Sequence, residues 1–245
     1  MQTICKKSNE NVIIFANTDA ELVLITSNNQ TTDWRKAQKW YFNGKKNECE
    51  KFQRAVIEYI IKIKCPITYE RFDMRNYNII YKQYPLKEPD GFEYTEDFDS
   101  IVKINTNKYY FNLKFICETG GAQTRSLREV YHFVKCMINY LKIEKTKKIP
   151  ITTYFINILD GKFCYIHKNK FSYLLDIFKD DINLINKYIF IGDLKEFNNW
   201  WTSHTDSKNI NVKSIENKHE TIDANANENI VQTKGKKVMK LKHKK

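Results

Sequence analysis

Between Asp99 and Lys114 the chain sets an acid, an amide and a lysine at spacings that a β-hairpin can bring together. Tyr109-Tyr-Phe-Asn-Leu-Lys-Phe-Ile116 reads as a strand. Side chains alternate along a strand, so Asn112 and Lys114 share one face while Phe111, Leu113 and Phe115 share the other. Asp99-Ser-Ile-Val-Lys-Ile104 reads as its partner strand and Asn105-Thr-Asn-Lys108 as the turn. Asp99 stands 13 residues before Asn112, so the two can face each other across the hairpin. Two acids beside a lysine in such a place can hold Mg²⁺, lower the pKa of a bound water and neutralise charge on a scissile phosphate. Asp90, in a Pro-Asp-Gly turn, and Asp97 compete with Asp99 for the first of these positions. The plainer reading makes Lys114 a snorkelling lysine on a half-exposed strand, and Asp97 and Asp99 ordinary strand-entry residues.

A second group follows at once. Gly120-Gly-Ala-Gln-Thr-Arg-Ser-Leu-Arg128 pairs two glycines with Gln123, Arg125 and Arg128 at the mouth of a helix. Gly120 and Gly121 permit close backbone approach, a helix N-terminus offers free N–H groups to phosphate, and the three long side chains suit phosphate or base edges. A turn with solvated arginines is the alternative. His132 and Cys136 lie four apart on that helix with Cys117 nearby, but zinc would need a fourth ligand, and a buried thiol is the expectation. His167 has no neighbour that marks it as a base. Phe197, Trp200 and Trp201 could stack on unpaired bases, although adjacent tryptophans at a last helix more often seal a core.

Helix, irregular link, β-hairpin, helix, strand is the order in which a restriction-endonuclease-like core is assembled. With the residues above, the segment FEYTEDFDSIVKINTNKYYFNLKFICETGGAQTRSLREVYHFV resembles the PD-(D/E)xK nuclease superfamily, and also resembles proteins of large DNA viruses. The resemblance covers residues 46–192 as a fold pattern and about 50 residues as motif. It implies Asp99 as first metal ligand, Lys114 as catalytic lysine, and Glu58 or Glu50 on the preceding helix as an accessory acid. It implies Mg²⁺ or Mn²⁺ as cofactor. Asn112 stands where the family has its second acid; an amide oxygen can ligate Mg²⁺ without charge, so Glu118 or another carboxylate would have to move in.

The elements that must position these residues can be read along the chain. Residues 11–16 and 22–26 read as a hairpin, and a long helix begins near Lys46, carries Phe52, Val56, Tyr59, Ile60 and Ile63 at helical spacing, and stops at Cys65-Pro66. Residues 67–90 read as irregular. Ser126-Leu-Arg-Glu129 reads as a capping box opening a helix with Leu127, Val130, Tyr131, Val134, Ile138 and Leu141 on one face. Then come a strand at 151–159, a turn at Asp160-Gly161, a return strand at Lys162–His167, a helix at Phe171–Phe178, a strand at 188–191 and a helix at Asp193–Trp201. The expected fold class is α/β, an α+β mixed sheet on a restriction-endonuclease-like core. Its divisions are 1–45 for N-terminal strands and link, 46–201 for the core domain, and 202–245 for a disordered Lys-rich tail.

The 245 residues carry 41 Lys and Arg against 29 Asp and Glu, a formal charge of +12 that attracts polyanions. Lys234 to Lys245 alone hold seven lysines and no acid. Six cysteines without a CxxC pair point to a reducing, intracellular compartment: cytoplasm, nucleus or a virion. No apolar run approaches a membrane span or a signal segment. The leading expectation is a metal-dependent DNA endonuclease, with nucleic acid (DNA preferred) as partner and no membrane; the resemblance to restriction-type nucleases, which often pair two sites to cut two strands, leaves a homodimer open. The alternatives are a catalytically inactive nucleic-acid binder on the same fold and a virion packaging protein.

Overall fold

The computed structural model describes residues 3–6, 13–16, 46–81 and 94–206. Strands β1 (Thr3–Lys6) and β2 (Ile13–Ala16) pair antiparallel. Residues 13–16 thus form a hairpin with the segment before them; residues 22–26, expected as their partner, lie outside the described residues. Helix α1 (Lys46–Ile61) buries Val56, Ile57 and Ile61 on one stripe. It ends earlier than Cys65-Pro66, because Lys62 turns left-handed at φ 58°, a conformation that closes helices.

The stretch expected to be irregular contains a hairpin, β3 (Glu70–Asp73) with β4 (Asn78–Tyr81), and β5 (Thr95–Asp97) joins β3 on its other side. Phe72 from this three-stranded sheet is fully buried, its ring edge-on to Phe98, Phe133, Tyr140 and Phe155. Glu70, also buried, accepts hydrogen bonds from the phenols of Tyr110 and Tyr81, with the ammonium groups of Lys103 and Lys108 at 3.9 and 3.6 Å. A buried carboxylate is tolerable when so surrounded, and it ties the small sheet to the main one.

The main sheet has the order β6-β7-β8-β9. β6 (Ser100–Ile104) and β7 (Asn107–Phe115) form the expected hairpin through Asn105, which accepts φ 55° as asparagine does more readily than most residues. β8 (Thr153–Asp160) and β9 (Ile189–Gly192) continue the sheet in parallel. Every residue of β8 is buried, as expected of a parallel strand covered on both faces.

Helix α2 (Gly121–Thr146) crosses one face, set there by Leu127, Val130, Phe133, Val134, Met137, Ile138 and Leu141. It opens five residues before the Ser126–Glu129 motif, which lies inside it. After β8 the chain enters a short helix, α3 (Lys162–Ile166), where a return strand was expected. Gly161 sits at φ 96°, and a Cβ there would fall 2.3 Å from the Ile116 carbonyl oxygen, so glycine lets the two segments touch. Helices α4 (Asn169–Ile177) and α5 (Ile182–Tyr188) follow. Helix α6 (Leu194–Asp206) covers the opposite face, Phe197 meeting Phe111 edge-on.

Helix α6 starts with a reciprocal cap: Glu196 donates its N–H to the Asp193 carboxylate at 2.8 Å, and Asp193 donates its own to Glu196 Oε2 at 3.0 Å. Trp201 is buried against Phe197 and Tyr109, consistent with a core seal. The result is a mixed α/β architecture with helices on both faces of the larger sheet. Residues 207–245, the greater part of the expected tail, lie outside the described residues. No described helix is long and apolar enough to cross a membrane.

Candidate functional site

Alternation and register together assemble one edge of the main sheet. Ser100 pairs with Phe111, so Asp99 lies opposite Asn112, and the Asp99 N–H reaches the Phe111 carbonyl at 2.9 Å. One carboxylate oxygen of Asp99 accepts the Leu113 N–H at 2.7 Å. Burial raises the Asp99 carboxyl to about 6 against the opposing pull of that hydrogen bond and of the Lys114 charge. Glu50 and Arg54 of α1 also act on it, with opposite signs.

Lys114 is half-buried two residues beyond Asn112, on the face covered by α2. Its charge reaches Glu96 of β5 as well, whose carboxyl is raised by burial and by Glu129 while Lys114 lowers it. Among the described residues no carboxylate stands at ion-pair distance from the Lys114 ammonium. Lys114 is therefore a half-buried cation whose charge is felt at both Asp99 and Glu96, and Asp99 is the one of the two that hairpin spacing pointed to.

The amide between them is turned to another use. Asn112 is 3% exposed and donates from Nδ2 to Asn157 Oδ1 at 3.1 Å, while Asn157 donates to the Phe190 carbonyl and the Met137 sulfur. This chain of amides runs inward across β7, β8 and β9 under α2, where buried polar groups must find partners.

Glu58 lies further along α1, accepting the Cys65 N–H at 2.9 Å and pairing with Lys64 at 3.2 Å; it closes the helix end. Glu50, the other accessory candidate, is the one whose charge is felt at Asp99. Glu118 is exposed past the end of β7. Asp97 pairs with Arg71 at 2.5 Å, and Asp90 lies outside the described residues.

Two residues that sequence reasoning did not single out complete the edge. Asp160 is fully buried where β8 ends, accepting the Leu194 N–H at 3.1 Å and the Gln53 side-chain amide at 2.6 Å. The same Gln53 nitrogen donates to the Lys114 carbonyl at 3.2 Å. Gln53 thus braces β7 against β8 from α1. Its position one turn after Glu50 was visible in the sequence, but its partners lie 61 and 107 residues away.

The fit to a metal can be judged from these donors. Asp99 has one oxygen engaged, Asn112 is bonded into the core and Glu118 points to solvent. Among the described residues no group of three His, Cys, Asp or Glu is placed to hold an ion, and that holds for His132, Cys136 and Cys117 as well. Among the described residues, these side chains do not make up the ligand set that the Mg²⁺ or Mn²⁺ of the nuclease resemblance implies. The crevice at the ends of β8 and β9, where α/β sheets often bind ligands, encloses about 10 Å³, room for no more than a water.

Gly120 and Gly121 are exposed at the start of α2, as are Arg125 and Arg128, while Gln123 is half-buried, its side chain folded back over Gly120. Arg128 also lines a groove of about 400 Å³ between α2 and α4. Comparison with protein-family models, curated proteins and solved structures gives no match for this chain.

Proposed function

We propose that this protein binds nucleic acid with an α/β domain assembled like a restriction-endonuclease core, and that it holds the polymer without cutting it. The Asn112–Asn157 pair carries the choice between holding and cutting, because the position of a second acid is occupied by an amide committed to the core. The net charge of +12 and the exposed Arg125 and Arg128 support a polyanionic partner. Hydrolysis keeps one supporting observation, the half-buried Lys114 whose charge acts on Asp99 and Glu96, and a metal-dependent endonuclease is the second reading.

One experiment separates them: supercoiled plasmid and single-stranded DNA incubated with the full chain in Mg²⁺, Mn²⁺ or EDTA, alongside Lys114→Ala. The expected result is retention of both DNAs that weakens steeply with salt, is equal in Mg²⁺ and EDTA, and leaves the plasmid supercoiled. Lys114→Ala should bind within a few-fold of the parent, since many cations share the polyelectrolyte attraction. Metal-dependent nicking that the variant loses would replace this reading with the nuclease; no retention at low salt would remove both.

A further inference from the structure

The groove between α2 and α4 is not used by the sheet-edge site. We propose that it holds one unpaired nucleotide of a bound strand, the base against Tyr131, Phe171 and Tyr173 and the phosphate between Arg128 and Lys170. This rests on the nucleic-acid reading above and gives it a place and a strand preference.

The argument starts from the lining. About 400 Å³ lies within the range of small-ligand sites. Tyr131 comes from α2 while Phe171 and Tyr173 come from α4, the rings of Tyr131 and Phe171 standing 6.0 Å apart at 51°. Tyr173 is 66% exposed, an aromatic face that the core leaves open to solvent. Arg128 on α2 and Lys170 on α4 supply positive charge from both walls, and neither is ion-paired among the described residues. No carboxylate lines the groove. Aromatic rings and cations without ion-pair partners among the described residues, lining one groove, complement a flat, apolar group that carries an anion, which is the chemistry of a nucleotide.

A base stacks on aromatic side chains without regard to its identity. A base held within a duplex cannot reach such a groove without leaving its stack, which costs a few kcal/mol. The groove therefore favours single strands. Exposed Arg125, one turn before Arg128 on α2, extends the same basic track for the next phosphate.

The test uses the full chain and an oligothymidylate carrying one 5-iodouracil, with ultraviolet crosslinking mapped by peptide mass and affinities measured by anisotropy. The expected crosslink falls on Tyr131, Phe171 or Tyr173. Tyr173→Ala should weaken single-strand binding about tenfold and leave duplex binding within about twofold. The exposure of Tyr173 means this change spares the core, which circular dichroism checks. Arg128→Gln with Lys170→Gln should lower the salt slope for single strands by about 0.7, the share of the one phosphate they hold between them.

Crosslinks elsewhere, with both variants at parental affinity, would overturn the groove assignment and leave the nucleic-acid reading standing. Absence of binding to either strand or duplex at low salt would overturn both. Binding of thymidine monophosphate that excess oligonucleotide fails to displace would overturn the strand as occupant in favour of a free nucleotide.

Discussion

Asp99 is the residue at which the surroundings alter ordinary acid chemistry most clearly. Its folded-state pKa of about 6 stands above the roughly 3.9 of an unfolded chain. Between those values the folded form keeps a proton that the unfolded form has released, so Asp99 lowers stability as pH rises from about 4 to about 6. Asp99→Asn keeps an acceptor for the Leu113 N–H and removes the titration. The melting temperature of the parent should fall relative to that variant across this window and run parallel above it; parallel curves from about pH 4 to 8 would refute the assignment. Asn112→Asp would place a carboxylate against Asn157 Oδ1, and the Asn157 amide nitrogen is already engaged with Phe190 and Met137. We expect a loss of about 3 kcal/mol in urea unfolding and no gain of cleavage. The proximity of Asp99 to Lys114 was legible in the sequence, because turn chemistry and period-two alternation are local. The partner of Asn112 was not, since Asn157 lies 45 residues on in a parallel strand whose register no local pattern announces.

At the scale of elements, the junctions decide direction. Lys162–His167 has the β-branched and aromatic content of a strand, but β8 already has β7 on one side and parallel β9 on the other, leaving no place for an antiparallel return. Gly161 carries the chain out of the sheet, and the Phe163 N–H then donates to the Ile116 carbonyl at 3.1 Å. Gly161→Ala meets both the positive φ and that carbonyl, so it should cost more than about 3 kcal/mol in denaturant unfolding. Asp193→Ala removes the acceptor of the α6 cap and should cost about 1 to 2 kcal/mol by the same measurement. The hairpin of β3 and β4 escaped sequence reading because only Glu70 and Phe72 face inward, and one of the two is charged. Helix α2 was read from its apolar face, yet its start was misplaced: the Ser126–Glu129 motif looks like a cap wherever it falls, and here the helix already begins at Gly121.

For the whole molecule, charge is unevenly spread. Residues 207–245 contain ten lysines and four acids, so their composition accounts for half of the net charge of +12. Changing the seven lysines from Lys234 to Lys245 to glutamine should therefore flatten the salt dependence of duplex binding, by up to about 0.9 in slope for each phosphate no longer neutralised. An unchanged slope would assign the phosphate-binding charge to the rest of the chain. The junction of α1 with β6 has a consequence of its own. Cys65 is buried there with its sulfur 3.0 Å from the Ser100 hydroxyl, and burial pushes the thiol up to about 12; Cys164 is buried beside Gly161 and is likewise pushed up. Neither can present a thiolate to an alkylating reagent while the sheet is closed, since the thiolate is the reactive form. The two cysteines act as clocks set at different joints of the domain, one against β6 and one in the helix after β8, and the order in which iodoacetamide stops them reports which joint opens first.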